Sequence, residues 1–235
     1  MLSSNDDAGF WDRIAPKYAT DTIKDMAGYE RTLIETRRWL GAADTVLELG
    51  CGTGTTALRL APHVQHLLAT DLSGGMIAIA HEKAAAQQCT NAQFMAATAE
   101  MPAGPKAGLD EAGFDAVLAF NLLHLVHDRA ALLRQVQQAL KPGGLFISKT
   151  PCLTEMNPLI RLAVPVAQWL GKAPHVAFFD AVALEDEMVD SGFTILERGR
   201  HGSGHNDARI FLVARKGADQ AACACRKLRT SPSLA

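Results

Sequence analysis

Short apolar runs alternate with helix-length segments along this 235-residue sequence, and this alternation restricts its fold more than any other feature. The runs lie at 45–50, 66–71, 92–96, 114–120 and 144–150. All but the third are almost continuously apolar, which is typical of strands that helices cover on both faces of a parallel sheet. The sequence therefore predicts an α/β fold with a doubly wound, mostly parallel sheet.

The segments between and around these runs complete the predicted architecture. Helical patterns lie at 53–60, 75–88, 129–140 and 180–191, and residues 10–42 predict two helices broken around Pro16 and Thr20. Residues 193–202 and 208–216 predict a C-terminal antiparallel hairpin, which brings the sheet to seven strands. We expect one domain over residues 1–216 and a disordered tail at 217–235.

Composition and charge narrow the class of protein. The chain has 23 basic and 25 acidic residues and no basic stripe, which disfavours nucleic acid as a partner. The start of the chain lacks an apolar signal segment, and no apolar run approaches the roughly 20 residues of a membrane-spanning helix. We therefore expect a cytoplasmic protein without stable membrane insertion, although residues 158–170 leave open a contact with a membrane surface.

Three glycines mark the turn from the first strand into the first crossover helix. Gly50, Gly52 and Gly54 lie within VLELGCGTGTTALRLA, residues 46–61. Such a turn suits a nucleotide-like ligand, because bare backbone can touch the ligand and the helix terminus offers free N–H groups. The spacing departs from the dinucleotide pattern G-x-G-x-x-G, and Glu48 suits an ammonium group better than a diphosphate. A dinucleotide-dependent oxidoreductase stays as an alternative.

Several ordered motifs resemble the class I S-adenosylmethionine-dependent methyltransferases, in particular the small-molecule branch of ubiquinone and menaquinone biosynthesis. LELGCGTGT (47–55) is similar to the family's first motif, and ATDLSGGMIAIAHEKA (69–84) to the segment after the second strand. FDAVLAFNLLHLVHD (114–128) and ALKPGGLFISKTP (139–151) resemble the fourth-strand and fifth-strand motifs. FWDRIAPKYA (10–19) resembles the N-terminal lid, so the likeness spans residues 10–215.

The resemblance implies a Rossmann-like methyltransferase fold with S-adenosylmethionine as cofactor and no metal. Asp71 is then expected to bind the ribose hydroxyls, with Leu72 and Met76 beside the adenine. Thr98 stands where the family often has an acidic residue, so backbone groups, the Thr98 hydroxyl or Glu100 are expected to hold the adenine amine. The implied cofactor residues are Glu48, Gly50, Cys51, Gly52, Gly54, Asp71, Leu72, Met76, Thr98, Ala99, Glu100, Asn121 and Tyr18.

The same resemblance places the acceptor beneath two helical covers, residues 1–43 and 151–180. His124, after the fourth strand, is the candidate general base, and His127 is a weaker one. Trp11, Tyr29, Lys149 and Phe178 are expected to line the substrate site.

The expected acceptor is a small, apolar or aromatic molecule methylated by in-line displacement, and the protein is expected to be a monomer or homodimer. NLLH at 121–124 lacks the Asn-Pro-Pro-aromatic motif, which disfavours nucleobase amines. A cofactor-binding sensor or inactive subunit without transfer activity stays as an alternative.

Overall fold

The structure is a computed structural model that describes residues 4–99, 113–156, 159–169, 173–204 and 207–217. Its strands are β1 (Thr45–Leu49), β2 (His66–Asp71), β3 (Ala92–Ala96), β4 (Phe114–Phe120), β5 (Leu140–Pro151), β6 (Phe193–Gly199) and β7 (Arg209–Lys216). Its helices are α1 (Ser4–Thr20), α2 (Met26–Arg38), α3 (Thr55–Leu60), α4 (Gly74–Ala86), α5 (Arg129–Ala139), α6 (Ile160–Trp169) and α7 (Ala181–Asp190). None of the helices in these ranges is long and apolar enough to cross a membrane.

The strands form a seven-stranded sheet in the order β3-β2-β1-β4-β5-β7-β6 within the described ranges. Strands β1 to β5 pair in parallel, whereas β7 runs antiparallel to both β5 and β6. The predicted α/β fold and C-terminal hairpin are therefore confirmed. The strand order reverses between β1 and β4, and ligands of such sheets bind at the carboxyl ends of the strands at this point.

Two layers of apolar side chains fix the sheet between its helices. On one face, α5 and α7 bury residues such as Leu132 and Leu184 against the strands. On the other face, α2, α3 and α4 contribute Leu33, Ala57 and Ala80. Burial on both faces explains the continuous apolar runs in the sequence.

Helices α2 and α4 begin with side-chain caps. Ser73 accepts a hydrogen bond from the Met76 amide at the start of α4, and Asp25 accepts one from the Gly28 amide at the start of α2. Such caps satisfy backbone groups that the helix itself leaves unpaired, which fixes where each helix begins. They therefore also fix the loops that precede α2 and α4.

The predicted break at Pro16 is wrong, because α1 continues through this proline to Thr20. Proline deprives the carbonyl four residues earlier, that of Asp12, of its helical hydrogen bond. The Asp12 side chain binds the Ser73 hydroxyl at 2.6 Å and the Gly75 amide at 2.9 Å, which ties α1 to the start of α4. This tertiary packing outweighs the local cost of the proline. The break follows Thr20, the other predicted position.

Other boundaries differ by a few residues. Helix α5 ends at Ala139, and β5 begins at Leu140 rather than at 144. The predicted tail, with Cys223 and Cys225, lies outside the described residues except for Gly217.

Candidate active site

The three loop glycines all have positive φ, at +67° for Gly50, +54° for Gly52 and +73° for Gly54. A Cβ atom on Gly50 would lie 2.8 Å from Leu122, and one on Gly54 would lie 2.7 Å from Phe94. A Cβ on Gly52 would meet only Tyr18, at 3.6 Å. Neighbouring side chains therefore pack directly against the backbone of Gly50 and Gly54 and leave no room for a Cβ atom, whereas the backbone of Gly52 faces open space.

That open space belongs to a cavity at the carboxyl ends of β1, β2 and β4, which we call the first cavity. Many of its lining residues were predicted from the sequence. They are Trp11, Tyr18, Glu48, Gly50, Cys51, Gly52, Asp71, Leu72, Met76, Thr98, Ala99 and Asn121. The strand ends and the glycine loop therefore bring together residues that are more than a hundred positions apart in the sequence, such as Trp11 and Asn121.

Asp71 closes one side of the first cavity at the end of β2. Its Oδ2 accepts a hydrogen bond of 2.8 Å from the Gly52 amide, and its Oδ1 accepts one of 2.9 Å from the Ser73 amide. Burial raises the pKa of Asp71, and the two amides act in the opposite direction. The carboxylate is thus held in one orientation, with its remaining lone pairs available to hydroxyl donors.

Glu48 lies on β1 at the floor of the first cavity and is 2% exposed. Within the described ranges its Oε2 atom has no hydrogen-bond partner. Burial, with a smaller contribution from the Asp71 charge, raises the pKa of Glu48 to about 8. A buried carboxyl without a partner favours a cationic group beside it, because that charge stabilises its ionised form.

Helix α1 reaches the first cavity through Asp7, which the sequence analysis missed. Oδ2 of Asp7 lies 3.0 Å from Nε2 of His127, and its Oδ1 accepts a hydrogen bond from the His175 amide. The His127 and His175 rings stack with centroids 3.8 Å apart. These contacts join α1, the segment after β4 and the segment before α7 at the edge of the first cavity.

A second cavity adjoins the first between α2 and the ends of β4 and β5. It contains two of the predicted substrate-lining residues, Tyr29 and Lys149. It shares part of its wall with the first cavity, and the shared residues are Tyr18, Cys51, Thr56, Phe120 and Asn121. A ligand in one cavity therefore lies next to a ligand in the other.

The structure does not bring every predicted residue to these cavities. His124 lines neither, and its Nδ1 lies 3.2 Å from the Thr150 hydroxyl. Burial lowers the pKa of His124 to about 4. Gly54 packs against Phe94 as described, and Phe178 lines neither cavity. Glu100 lies outside the described residues.

Other lining residues were missed although the sequence held partial signals for some. The first cavity also contains Asp7, Thr56, Phe120, Leu122, Leu125, Val126 and Pro174, together with His127, which was named from the sequence only as a weaker candidate base. The segment after β4 was recognised as a motif, but periodicity alone does not show which of its side chains face a ligand.

A glycine loop at the reversal of strand order, with two buried carboxyl groups beside it, is typical of nucleoside cofactor sites in Rossmann-like folds. Residues 11–198 match a family described as a methyltransferase domain, and the chain belongs to this family. It is a class I S-adenosylmethionine-dependent methyltransferase by family, and S-adenosylmethionine is its cofactor. The match excludes the dinucleotide-dependent oxidoreductases as its family.

Similar proteins support the same assignment. The chain is 28% identical over 145 residues to demethylmenaquinone methyltransferase of Clavibacter sepedonicus, covering 60% of this chain and 56% of that protein. It is 29% identical over 135 residues to equisetin synthetase of Fusarium heterosporum, covering 54% of this chain but 3% of the synthetase. The chain thus spans about half, or far less, of these relatives.

A solved structure shows the same fold. It is the magnesium protoporphyrin IX methyltransferase of Synechocystis PCC 6803 with bound SAH. The TM-score is 0.63 at 19% identity, and the match covers 89% of this chain and 93% of that one.

The residues of the first cavity fit S-adenosylmethionine. The unpartnered Glu48 oxygen suits the ammonium of the methionine part, and the fixed Asp71 carboxylate suits a ribose diol. Leu72 and Met76 offer apolar surface for a base beside them. The site therefore has a complementary group for the ammonium, the ribose and the base of this cofactor.

Proposed function

We propose that this protein transfers the methyl group of S-adenosylmethionine to a small molecule with an apolar or aromatic body. The observation that carries the proposal is the wall shared by the two cavities, which includes Cys51, Phe120 and Asn121. The cofactor would occupy the first cavity and the acceptor the second. A methyl group directed at the shared wall then has a short path between them.

In this proposal Glu48, Asp71 and the bare Gly52 backbone hold the cofactor. The Thr98 hydroxyl and the backbone of Ala99 lie in the same cavity and would hold the adenine amine. Gly54, His124 and Phe178 would have no direct role, since they line neither cavity, whereas Glu100 stays a prediction. Trp11 and Tyr18 from α1 would cover the cofactor, in keeping with a lid over residues 1–43.

Catalysis would depend on positioning. When bound, the cofactor would supply a methyl group already activated on a sulfonium, and the part of the protein would be to hold the nucleophile of the acceptor in line with it. Holding two reactants in line supplies effective molarities on the order of 10⁵ to 10⁸ M. The walls of Phe120 and Leu122, with α1 above them, would exclude water from the reacting atoms.

The net charge of −2 supports a small-molecule acceptor over a nucleic acid, because binding a polyanion favours a basic surface. Residues 151–180 would complete the cover, since Pro174 lines the first cavity. We propose a cytoplasmic monomer or homodimer without membrane insertion.

The direct test is transfer of a radiolabelled methyl group from S-adenosylmethionine to a panel of small aromatic and apolar hydroxyl, amine and thiol compounds. The proposal predicts labelled product and equimolar S-adenosylhomocysteine, both lost in Asp71→Asn. Tight cofactor binding with no labelled product from any compound would instead identify a sensor or an inactive subunit.

A further inference from the structure

We propose that the acceptor carries a carboxylate group, which Lys149 binds in the second cavity. This inference rests on the proposed methyl transfer and names the chemical class of its substrate.

Lys149 is a buried cation at the carboxyl end of β5, with 7% of its surface exposed. Its Nζ donates a hydrogen bond of 2.8 Å to Thr32 on α2. No carboxylate lies within ion-pair distance of this Nζ among the residues that the structure describes. Buried charges are normally paired, so this one has room for an anionic ligand.

The Thr32 hydroxyl, which accepts the hydrogen bond from Lys149, also contacts two other polar groups. Thr32 donates its hydroxyl proton to the Gly28 carbonyl at 2.8 Å, and Nδ1 of His201 lies 3.2 Å from the same oxygen. The hydroxyl therefore accepts from Lys149 and orients the ammonium without neutralising it. Thr32 is the acceptor that Nζ of Lys149 contacts among the described residues, which leaves two N–H donors for the second cavity that this residue lines.

The neighbouring cation Arg209, unlike Lys149, already has carboxylate partners within the protein. Nε of Arg209 donates to Asp207 at 2.9 Å, and its Nη2 lies 3.9 Å from Asp25. Asp25 also accepts hydrogen bonds from the amide and hydroxyl of Ser203. Arg209 is thus balanced by carboxylates of the protein, whereas Lys149 is not.

The charges that line the second cavity favour a monoanion. Among the described residues, Lys83, Lys149 and Arg209 face Asp21 and Asp25. Because Asp207 balances Arg209, the buried charge left in excess here is the single ammonium of Lys149. Because the pKa of Lys149 is lowered by burial only to about 8, its ammonium form predominates at neutral pH. A carboxylate with one negative charge matches this excess better than a dianionic phosphate.

Lys149 also lies close to the wall that joins the two cavities. It pairs with Phe120 across β4 and β5, and its carbonyl accepts a hydrogen bond of 2.7 Å from the Asn121 amide. Phe120 and Asn121 belong to that wall. If Lys149 binds the carboxylate of the acceptor, the rest of the acceptor would lie along the shared wall. Its nucleophilic atom would then point to the methyl group of the cofactor.

The test uses the full protein saturated with S-adenosylhomocysteine and titrates matched acids and amides. Phenylacetate and 4-hydroxybenzoate are compared with phenylacetamide and 4-hydroxybenzamide by calorimetry, in wild type, Lys149→Met and Lys149→Arg. We expect the acids to bind roughly 10- to 100-fold more tightly than the amides, as one charged hydrogen-bonded contact supplies. Lys149→Met should remove this preference, and Lys149→Arg should restore part of it.

Lys141→Met is the matched control, because Lys141 lies at the other end of β5 and pairs with Asp115 at 2.8 Å. It should keep the preference for acids. S-adenosylhomocysteine binding by each variant confirms that the first cavity is folded.

Equal binding of acid and amide, or no acid binding that depends on Lys149, overturns the carboxylate proposal. A different result would contradict the proposed function: the acids bind, but no compound accepts a labelled methyl group from S-adenosylmethionine.

Discussion

The Gly52 amide donates a hydrogen bond of 2.8 Å to Oδ2 of Asp71, and this bond joins the glycine loop to the end of the neighbouring strand. The loop after β1 and the carboxylate after β2 are therefore positioned as one unit. Because the same carboxylate also accepts from Ser73 at the start of α4, two helix starts and two strands fix a single group.

Gly52→Ala tests whether bare backbone is needed for the cofactor. The new Cβ would lie in open space of the first cavity at φ +54°, where an L residue costs about 1–2 kcal/mol. We expect weaker S-adenosylhomocysteine binding in addition to lower stability. Gly143→Ala is the control, since Gly143 has φ +77° and nothing within 4 Å of its Cβ position. Titration calorimetry should show a binding loss in Gly52→Ala alone, and equal binding by both variants would contradict this role.

Glu48→Gln tests how the buried carboxyl group affects the stability of the fold, apart from its effect on cofactor binding. Between about pH 4.5 and 8 the folded protein retains a Glu48 proton that the unfolded chain has lost. The free energy of unfolding of the wild type therefore falls as pH rises through this window, by at most about 1.4 kcal/mol per pH unit. The melting temperature of Glu48→Gln relative to that of the wild type should therefore rise from pH 5 to pH 8. A pH-independent difference would contradict the assignment.

The same variant should bind S-adenosylmethionine more weakly, because its ammonium loses a carboxylate partner. Methylthioadenosine lacks that ammonium and serves as the control ligand, with similar affinity expected for wild type and variant. For the wild type near pH 7, calorimetry in buffers of different ionisation enthalpy should detect a proton released on S-adenosylmethionine binding. Equal loss for both ligands would show a general disturbance of the cavity instead.

Asp7→Ala should loosen the cover that α1 forms. It removes the contact of 3.0 Å with His127 and the hydrogen bond from the His175 amide. A loss of about 1 kcal/mol corresponds to roughly fivefold faster release of S-adenosylhomocysteine, measured by stopped flow. Glu30→Ala breaks the surface pair with Arg59 and should leave release unchanged. Unchanged release in Asp7→Ala would show that α1 does not hold the cofactor.

His124→Asn tests the sequence hypothesis of a general base directly. The side chain lines neither cavity and contacts Thr150, so we expect a lower melting temperature and less than a tenfold change in kcat. A catalytic base would instead contribute about 10²- to 10⁴-fold. The kcat comparison, made with any acceptor identified in the panel, decides between the two.

Local sequence patterns were sufficient for the sheet and for much of the first cavity. Strands β2, β3 and β4 have the predicted bounds, because an apolar run bounded by polar turns defines a buried strand. The ends of parallel strands meet at one edge, so residues that follow these runs, such as Asp71 and Asn121, come together. The contact of Asp7 with His127 joins positions 120 apart, and no local pattern indicates it.

The two histidines after β4 show why side-chain roles were harder to predict. The short helical turn Leu123–Leu125 directs His124 towards Thr150, whereas His127 faces α1 and lines the first cavity. The second cavity likewise depends on distant segments, since Thr32 and Arg209 approach Lys149 only after α2 packs on β5 and β7. Such arrangements follow from tertiary packing rather than from spacing.

The measurement that tests the central claim most directly is calorimetric titration with S-adenosylmethionine, S-adenosylhomocysteine and NADH. Asp71→Asn is the test variant, and Asp115→Asn is its control, because Asp115 also accepts a backbone hydrogen bond but lies at the opposite edge of the sheet. We predict that both adenosyl ligands bind, that NADH does not, and that Asp71→Asn alone weakens binding by roughly 10- to 100-fold. NADH binding, or adenosyl binding that Asp71→Asn leaves unchanged, would contradict the account.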